Sequence, residues 1–135
     1  SGTNSNALMM VNAKNSRLWN RMFHIFIEGS GVASHDIPDD VTVTVTKTSA
    51  GVYEILLSTP IKYPLIHVNS INNTTGGLTQ SLACTVNATN TVDAGNYNTY
   101  NSVNKIVVTC IDLANTNAPI DAKVMVSITP NNFYW

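Results

Sequence analysis

The strongest constraint on the fold of this chain is a pair of adjacent strand patterns over residues 41–57. Val41–Thr48 alternates apolar and polar side chains at period two, Ala50 and Gly51 follow as a turn signal, and Val52–Leu57 begins at once. Such alternation places two sets of side chains on opposite faces of a half-buried strand, and a Gly-containing link between two runs is typical of a β-hairpin. The segment therefore predicts a hairpin whose buried face carries Val41, Val43, Val45, Tyr53, Ile55 and Leu57.

Five further runs, rich in β-branched and aromatic residues, predict strands in the rest of the chain. They lie at residues 22–27, 64–70, 81–86, 103–110 and 123–129. Short strands with almost no helix predict an all-β chain, folded as an antiparallel β-sandwich that is jelly-roll-like. The length of 135 residues fits one domain. We therefore assign residues 1–21 to an extended N-terminal arm and residues 22–135 to the sandwich domain.

Turn residues separate the predicted strands. The polar segment 34–40 predicts a turn, and Thr59-Pro60 predicts the end of the second hairpin strand, because proline is poorly tolerated in central strands. Residues 87–101 are the least apolar stretch and predict a long exposed loop. Its tyrosines, Tyr97 and Tyr100, are candidates for outward contacts, since long loops in compact β domains are often functional.

The charge content excludes several classes of partner. Seven Lys and Arg residues stand against eight Asp and Glu residues, and charged residues make up only 11% of the chain. No basic face can be assembled from so few cations, so we expect neither nucleic acid nor a membrane as a partner. The apolar run Ala7–Val11 is too short for a signal peptide or a membrane span. Ser1-Gly2 fits either a native start after methionine removal or a cloning remnant.

The two cysteines, Cys84 and Cys110, each lie within a strand pattern. Free cysteine behaves as a small buried apolar side chain, so two buried thiols are the favoured interpretation. A disulfide between neighbouring strands is the alternative, and it would imply an oxidising compartment.

Residue types that carry chemistry are scattered along the chain. The histidines are His24, His35 and His67. The first and third lie in strand patterns and are expected to be ordinary strand residues. The nearest approach to a site is His35-Asp36 with Asp39 and Asp40, which could hold a divalent cation but is better explained as a solvated turn around a proline. We therefore predict no catalytic residue, no metal ligand and no cofactor, and we expect a protein that is not an enzyme.

From Val41 onward the chain resembles the β domains of tailed-bacteriophage virion proteins, including decoration proteins and the head or tip domains of fibres. The residues that carry this resemblance are the Val-Thr repeat running into Gly51-Val-Tyr53, the strand Ile106–Cys110, and Pro119-Ile-Asp121 leading into Val124–Ile128. These motifs are mostly strand and turn patterns. The resemblance implies a homotrimer without enzymatic activity.

Apolar side chains near both ends of the chain are the predicted interface. They are Leu8, Met9, Leu18, Trp19, Met22, Phe23, Phe133, Tyr134 and Trp135. So many large apolar groups are hard to bury in a small monomer, and large exposed apolar patches mark interfaces. The alternative is that both ends fold back onto the sandwich.

These observations lead to three functional hypotheses. The first is a non-enzymatic virion structural protein, a capsid decoration (cement) protein on the capsid surface, which stabilises the phage head by binding only the assembled shell. Its partner would be the major capsid protein or another virion protein. The second is a tail-fibre or head-fibre domain that binds a host-surface glycan through Tyr97 and Tyr100. The third is a small hydrolase with a site around His35, Asp36 and Asp39.

Overall fold

The computed structural model describes residues 22–62, 64–72, 81–92 and 102–130, and within them it shows strands, turns and no helix. The predicted N-terminal arm and most of the predicted loop at 87–101 lie outside these residues. The strands are β1 (Phe23–Ile27), β2 (Ala33–His35), β3 (Val43–Ser49), β4 (Val52–Lys62), β5 (Leu65–Asn72), β6 (Leu82–Thr89), β7 (Ser102–Asp112), β8 (Ala118–Pro119) and β9 (Ala122–Thr129). All seven predicted strands are confirmed, and β2 and β8 are additions.

Two antiparallel sheets form the predicted β-sandwich. Sheet A has the strand order β2-β1-β9-β5, and sheet B has the order β3-β4-β7-β6, with β8 pairing with β7 beside this path. The chain changes sheet after β2, β4, β5 and β8. Each sheet thus contains strands that are distant in the sequence, as the jelly-roll-like prediction requires.

The core lies between the sheets and is filled by alternate side chains of the long strands. Alternation along a strand sends every second side chain to the same face. On the inner face are Phe23, Ile25 and Ile27 of β1, Tyr53, Ile55 and Leu57 of β4, Ile106, Val108 and Cys110 of β7, and Val124, Val126 and Ile128 of β9. Burial of each large aliphatic or aromatic side chain contributes about 1.5–3 kcal/mol.

The predicted end of β4 at Thr59-Pro60 is wrong, because the strand continues to Lys62. Leu56 pairs with Lys105 on β7, and the next pair is Ile61 with Val103, so β4 advances by five residues while β7 advances by two. Extra residues of this kind form a bulge, in which a residue is released from the ladder. Pro60, which has no N–H to donate, lies within this irregular stretch.

The predicted turn at 34–40 is also wrong in its first part. Ala33–His35 forms β2 and pairs with β1, with Ile25 opposite His35 and Ile27 opposite Ala33. All three residues of β2 are exposed, so the strand has no apolar period for a sequence pattern to reveal. A turn does follow, where Val41 N donates to Pro38 O over 3.0 Å.

The prediction of two free thiols is wrong, since Cys84 and Cys110 form a disulfide. They are direct partners in the β6–β7 ladder, with their Cα atoms 4.1 Å apart. The Cys110 N–H donates to Gly51 O over 2.8 Å, and Cys110 O accepts from Ile120 N over 3.1 Å. Both backbone groups of Cys110 therefore point away from β6, which makes the pair a non-hydrogen-bonded one, where opposing side chains are closest.

Candidate functional site

Among the described residues, the outer face of sheet A brings together an aromatic ring, two imidazole rings and an amide side chain. Register places Phe26 of β1 beside Met125 of β9, and Met125 beside Asn69 of β5. The next row along the strands places His24 beside Ser127, and Ser127 beside His67. We call these the Phe26 row and the His24 row, and together they form the sheet A face.

The Phe26 row forms one side of an open groove with a volume of about 320 Å³. We call it the sheet A groove, and its outward lining residues are Phe26, Glu28, Asn69, Lys123 and Met125. Phe26 is 50% exposed, which is unusual for a large aromatic side chain in a strand. The groove volume lies at the lower end of the ~300–1,000 Å³ range of small-ligand sites.

Two of the residues that line the sheet A groove, Glu28 and Lys123, form an ion pair. Lys123 Nζ lies 3.8 Å from Glu28 Oε2, and both side chains are about half exposed. An exposed pair of this kind contributes little to stability. The donor and the acceptor are consequently available to a bound molecule at little cost to the fold.

The His24 ring is held by Asp36, which follows β2. Asp36 Oδ2 lies 2.8 Å from His24 Nδ1, and Asp36 Oδ1 accepts a hydrogen bond of 2.6 Å from the His24 backbone N–H. A carboxylate only accepts hydrogen bonds, so Nδ1 carries the proton in this contact. The His24 and Phe26 rings are stacked at an interplanar angle of 21°, with their centroids 6.4 Å apart.

The outer face of sheet B has a different character. Its exposed positions carry threonines, including Thr44 and Thr46 of β3 and Thr85 of β6. Lys105 Nζ lies 3.7 Å from Glu54 Oε2 across β4 and β7. Among the described residues this face presents no aromatic side chain, so sheet A is the better candidate for a site.

A second polar cluster joins the β3–β4 hairpin to the start of β9. Asp121 accepts hydrogen bonds from Lys47 Nζ over 2.6 Å and from the Gly51 backbone N–H over 2.8 Å. Tyr53 OH donates to Gly29 O over 2.9 Å and accepts from Ala122 N over 3.2 Å. We call this cluster the Asp121 clasp.

The Asp121 clasp accounts for pKa shifts in opposite directions. The hydrogen bond from Lys47, followed by that from the Gly51 N–H, lowers the pKa of Asp121. The same contact raises the pKa of Lys47 above its ordinary value. Burial raises the pKa of Tyr53, whose hydroxyl is enclosed by the core. The hydrogen bonds of Asp121 and Tyr53 connect the β3–β4 hairpin, Gly29 and the start of β9, so the clasp has a structural role.

The clasp also explains the motifs Gly51-Val-Tyr53 and Pro119-Ile-Asp121, which are distant in the sequence. Gly51 has a φ of 69°, and a Cβ built on it would lie 2.6 Å from Cys110 O and 2.8 Å from Ile120 O. Only glycine fits such a conformation and such a close backbone approach. The two motifs meet, and they secure the fold.

The structure describes two of the predicted interface residues. Met22 is 45% exposed, and its contact with a partner stays a prediction. Phe23 was assigned wrongly, because it is 1% exposed: it alternates with His24 and faces the core between the sheets. The other predicted contact residues lie outside the described part of the chain; they are Leu8, Met9, Leu18, Trp19, Tyr97, Tyr100, Phe133, Tyr134 and Trp135.

The predicted cluster around His35 and Asp36 is divided by the structure. Asp36 contacts His24, while His35 Nδ1 accepts a hydrogen bond from Ile37 N over 3.2 Å. In residues 22–62, 64–72, 81–92 and 102–130, no three His, Cys, Asp or Glu side chains are grouped as a metal site would require. The same residues include no helix that is long and apolar enough to cross a membrane.

Sequence reasoning missed Phe26, Asn69, Lys123 and Met125 as site residues. The alternation of β1, β5 and β9 indicates that their side chains point outward. The sequence does not give the register that brings three strands from distant parts of the chain together. The available signal was an aromatic residue, Phe26, at a position of β1 that alternates with the inward-facing Ile25 and Ile27.

Comparison with known proteins gives a match at the level of fold. No family model matches the chain, and no curated protein does so. The fold is similar to part of the crystal structure of the phiAB6 tailspike in complex with three-repeated oligosaccharides of Acinetobacter baumannii surface polysaccharide, with a TM-score of 0.56. The match has 19% sequence identity and covers 86% of this chain, but only 24% of the tailspike chain. At this identity the likeness shows a shared fold.

Proposed function

We propose that this chain is a β-sandwich domain of a phage virion protein and that it binds a surface glycan in the sheet A groove. The observation that carries the proposal is the exposed Phe26 ring beside the Asn69 amide and the Glu28–Lys123 pair. The likeness in fold to a tailspike whose structure contains oligosaccharides supports it.

The groove has the chemistry that a sugar requires. A pyranose ring has an apolar C–H face, which packs on an aromatic ring, and a rim of hydroxyl groups, which both donate and accept hydrogen bonds. Phe26 provides the flat apolar surface. Asn69 provides a donor and an acceptor, Glu28 provides acceptors, and Lys123 provides donors. Met125, at the centre of the row, is a flexible side chain that adapts to the shape of a ligand.

The experiment is a binding measurement on an array of bacterial surface oligosaccharides that includes those of Acinetobacter baumannii. Phe26→Ala should weaken binding about ten-fold, since a lost aromatic contact of up to about 1.5 kcal/mol corresponds to that factor. Leu56→Ala is the matched control, because Leu56 is 40% exposed on the outer face of sheet B. Equal loss in both variants, or no binding by the unaltered chain, would overturn the proposal.

The proposed domain binds glycan without cleaving it and uses no cofactor. Prolonged incubation of the bound oligosaccharide with the chain should leave its length unchanged by mass spectrometry. Shortened products that persist after repurification of the chain would contradict this part of the proposal.

Capsid decoration is a second candidate function, favoured by apolar side chains on the same side of the sandwich. Met22 precedes β1 and Leu65 begins β5. Both strands are antiparallel to β9 and so run in the same direction, which places Met22 and Leu65 at the same end of sheet A. Both side chains are exposed. Exposed apolar patches mark protein interfaces. In this function the chain is a homotrimer that contacts the major capsid protein.

The decoration hypothesis is tested by mixing the chain with intact phage heads and sedimenting them, with light scattering to give the solution mass. A trimer that sediments with heads and loses this property in a Met22→Asp variant supports it. A monomer that stays in the supernatant contradicts it and leaves the glycan proposal in place.

A further inference from the structure

The His24 row repeats the arrangement of the Phe26 row. Each row has a ring on β1, a smaller or flexible side chain on β9, and a hydrogen-bonding side chain on β5. The rings are Phe26 and His24, and the β5 side chains are Asn69 and His67. Because the rows are two residues apart on every strand, they lie on the same face and are adjacent along the strand direction.

The two rings form a continuous strip along β1. Their centroids are 6.4 Å apart and their planes differ by 21°. The two rings follow each other at alternate residues of β1, so successive sugar units of a chain laid along the strand would each meet a ring.

The His24 ring is positioned before any ligand arrives. Asp36 contacts both Nδ1 and the backbone N–H of His24, at 2.8 Å and 2.6 Å. With Nδ1 engaged, the ring cannot rotate without breaking that hydrogen bond. Groups fixed in their bound conformation lose less entropy on binding, which favours affinity.

The residue at the centre of the His24 row is buried. Ser127 is 6% exposed between His24 and His67, so its small side chain leaves a shallow floor between two larger ones. Met125 has the equivalent position in the Phe26 row, where the groove is about 320 Å³ in volume. The His24 row thus adjoins the sheet A groove without lining it.

We infer that the sheet A face binds two consecutive sugar units of one glycan, the first on the Phe26 row and the second on the His24 row. This inference rests on the proposed glycan function, and it adds that the ligand is a chain of at least two sugars running along the strands of sheet A.

The test is calorimetric titration with one-, two- and three-sugar fragments of the bacterial polysaccharide that binds the unaltered chain on the array. The two-sugar fragment should bind about five- to ten-fold more tightly than the single sugar, through the added aromatic contact. His24→Ala should remove this gain and leave the affinity for the single sugar unchanged. His24→Phe, which restores a ring, should recover most of the gain.

A second variant protects the test from effects of His24 on folding. His67→Ala leaves the Asp36 contact intact and should also reduce the gain from the second sugar, whereas Thr85→Ala on sheet B should leave it unchanged. If two sugars bind no better than one, or if His24→Ala and His67→Ala both keep the gain, the two-row inference is wrong while the glycan function stands. If no fragment binds the unaltered chain, the proposed function itself fails.

Discussion

Gly51 is a residue at which the fold tolerates little change. Its positive φ and the backbone atoms of Cys110 and Ile120 leave no space for a side chain. Gly51→Ala should lower the free energy of unfolding by about 2–4 kcal/mol, from left-handed backbone strain and overpacking together. Urea unfolding measures this, with Ala50→Ser at the neighbouring exposed turn position as the control. A loss no greater than in the control would contradict the close approach at Gly51.

Asp121 should make the free energy of unfolding depend on pH in the acidic range. Its pKa is lowered in the folded state by Lys47 first and the Gly51 N–H second. A group with a lowered folded pKa contributes stability that is present above its unfolded value, near 3.8, and is lost as the pH falls through the folded value. Asp121→Asn should therefore be less stable than the unaltered chain at pH 7, and the difference should shrink below about pH 3.8.

Lys47, the basic partner in the Asp121 clasp, makes the free energy of unfolding depend on pH in the opposite direction. Lys47 has a raised pKa, so its contribution is present below its ordinary value of 10.5 and is lost as the pH rises through the folded value. The midpoint of urea unfolding, measured across the pH range, tests both the loss of stability in acid through Asp121 and the loss in base through Lys47. Parallel curves for the two proteins at acidic pH would contradict the assignment to Asp121.

At the scale of elements, the disulfide ties the edge strand β6 to β7. Cross-linking two residues that are 26 apart in sequence stabilises by about 3.5 kcal/mol in the chain-entropy view. The Cys84→Ala/Cys110→Ala double variant should lose about this much and still fold, because β6 keeps its other pairs with β7. Hydrogen exchange should accelerate in β6 far more than in β9. Equal acceleration in both strands would show that the bond supports the whole sandwich.

The elements that were predictable from sequence are those with a clear apolar period. The β3–β4 hairpin and β9 place their alternating residues inward as expected. The exposed strand β2 has no such period, and the bulge around Pro60 allows β4 to continue through a residue that normally ends a strand. Pairing between distant strands is a property of tertiary packing. Neither the Cys84–Cys110 bond nor the two rows of the candidate site could therefore be read from the sequence.

At the scale of the whole molecule, the outer faces of the two sheets differ in composition. The sheets share one apolar core, but the outer face of sheet B is a threonine-rich surface, while that of sheet A carries Phe26, His24 and the Glu28–Lys123 pair. The Asp121 clasp joins the hairpin of sheet B to the strand β9 of sheet A. The surface that we propose for binding therefore belongs to a sheet that is joined both through the core and through the clasp to the sheet behind it.

The pairing of β1 with β9 has a consequence for how the chain acquires its structure during synthesis. Phe23 and Ile128 are register partners, although they are 105 positions apart in the sequence. At about 5–20 residues per second, a ribosome takes roughly 5–20 s to add the residues between them. Throughout that time the edge of β1 that pairs with β9 in the folded protein has no partner strand. Contacts of such long range also slow folding after release. We therefore expect sheet A to close only after β9 has left the ribosome.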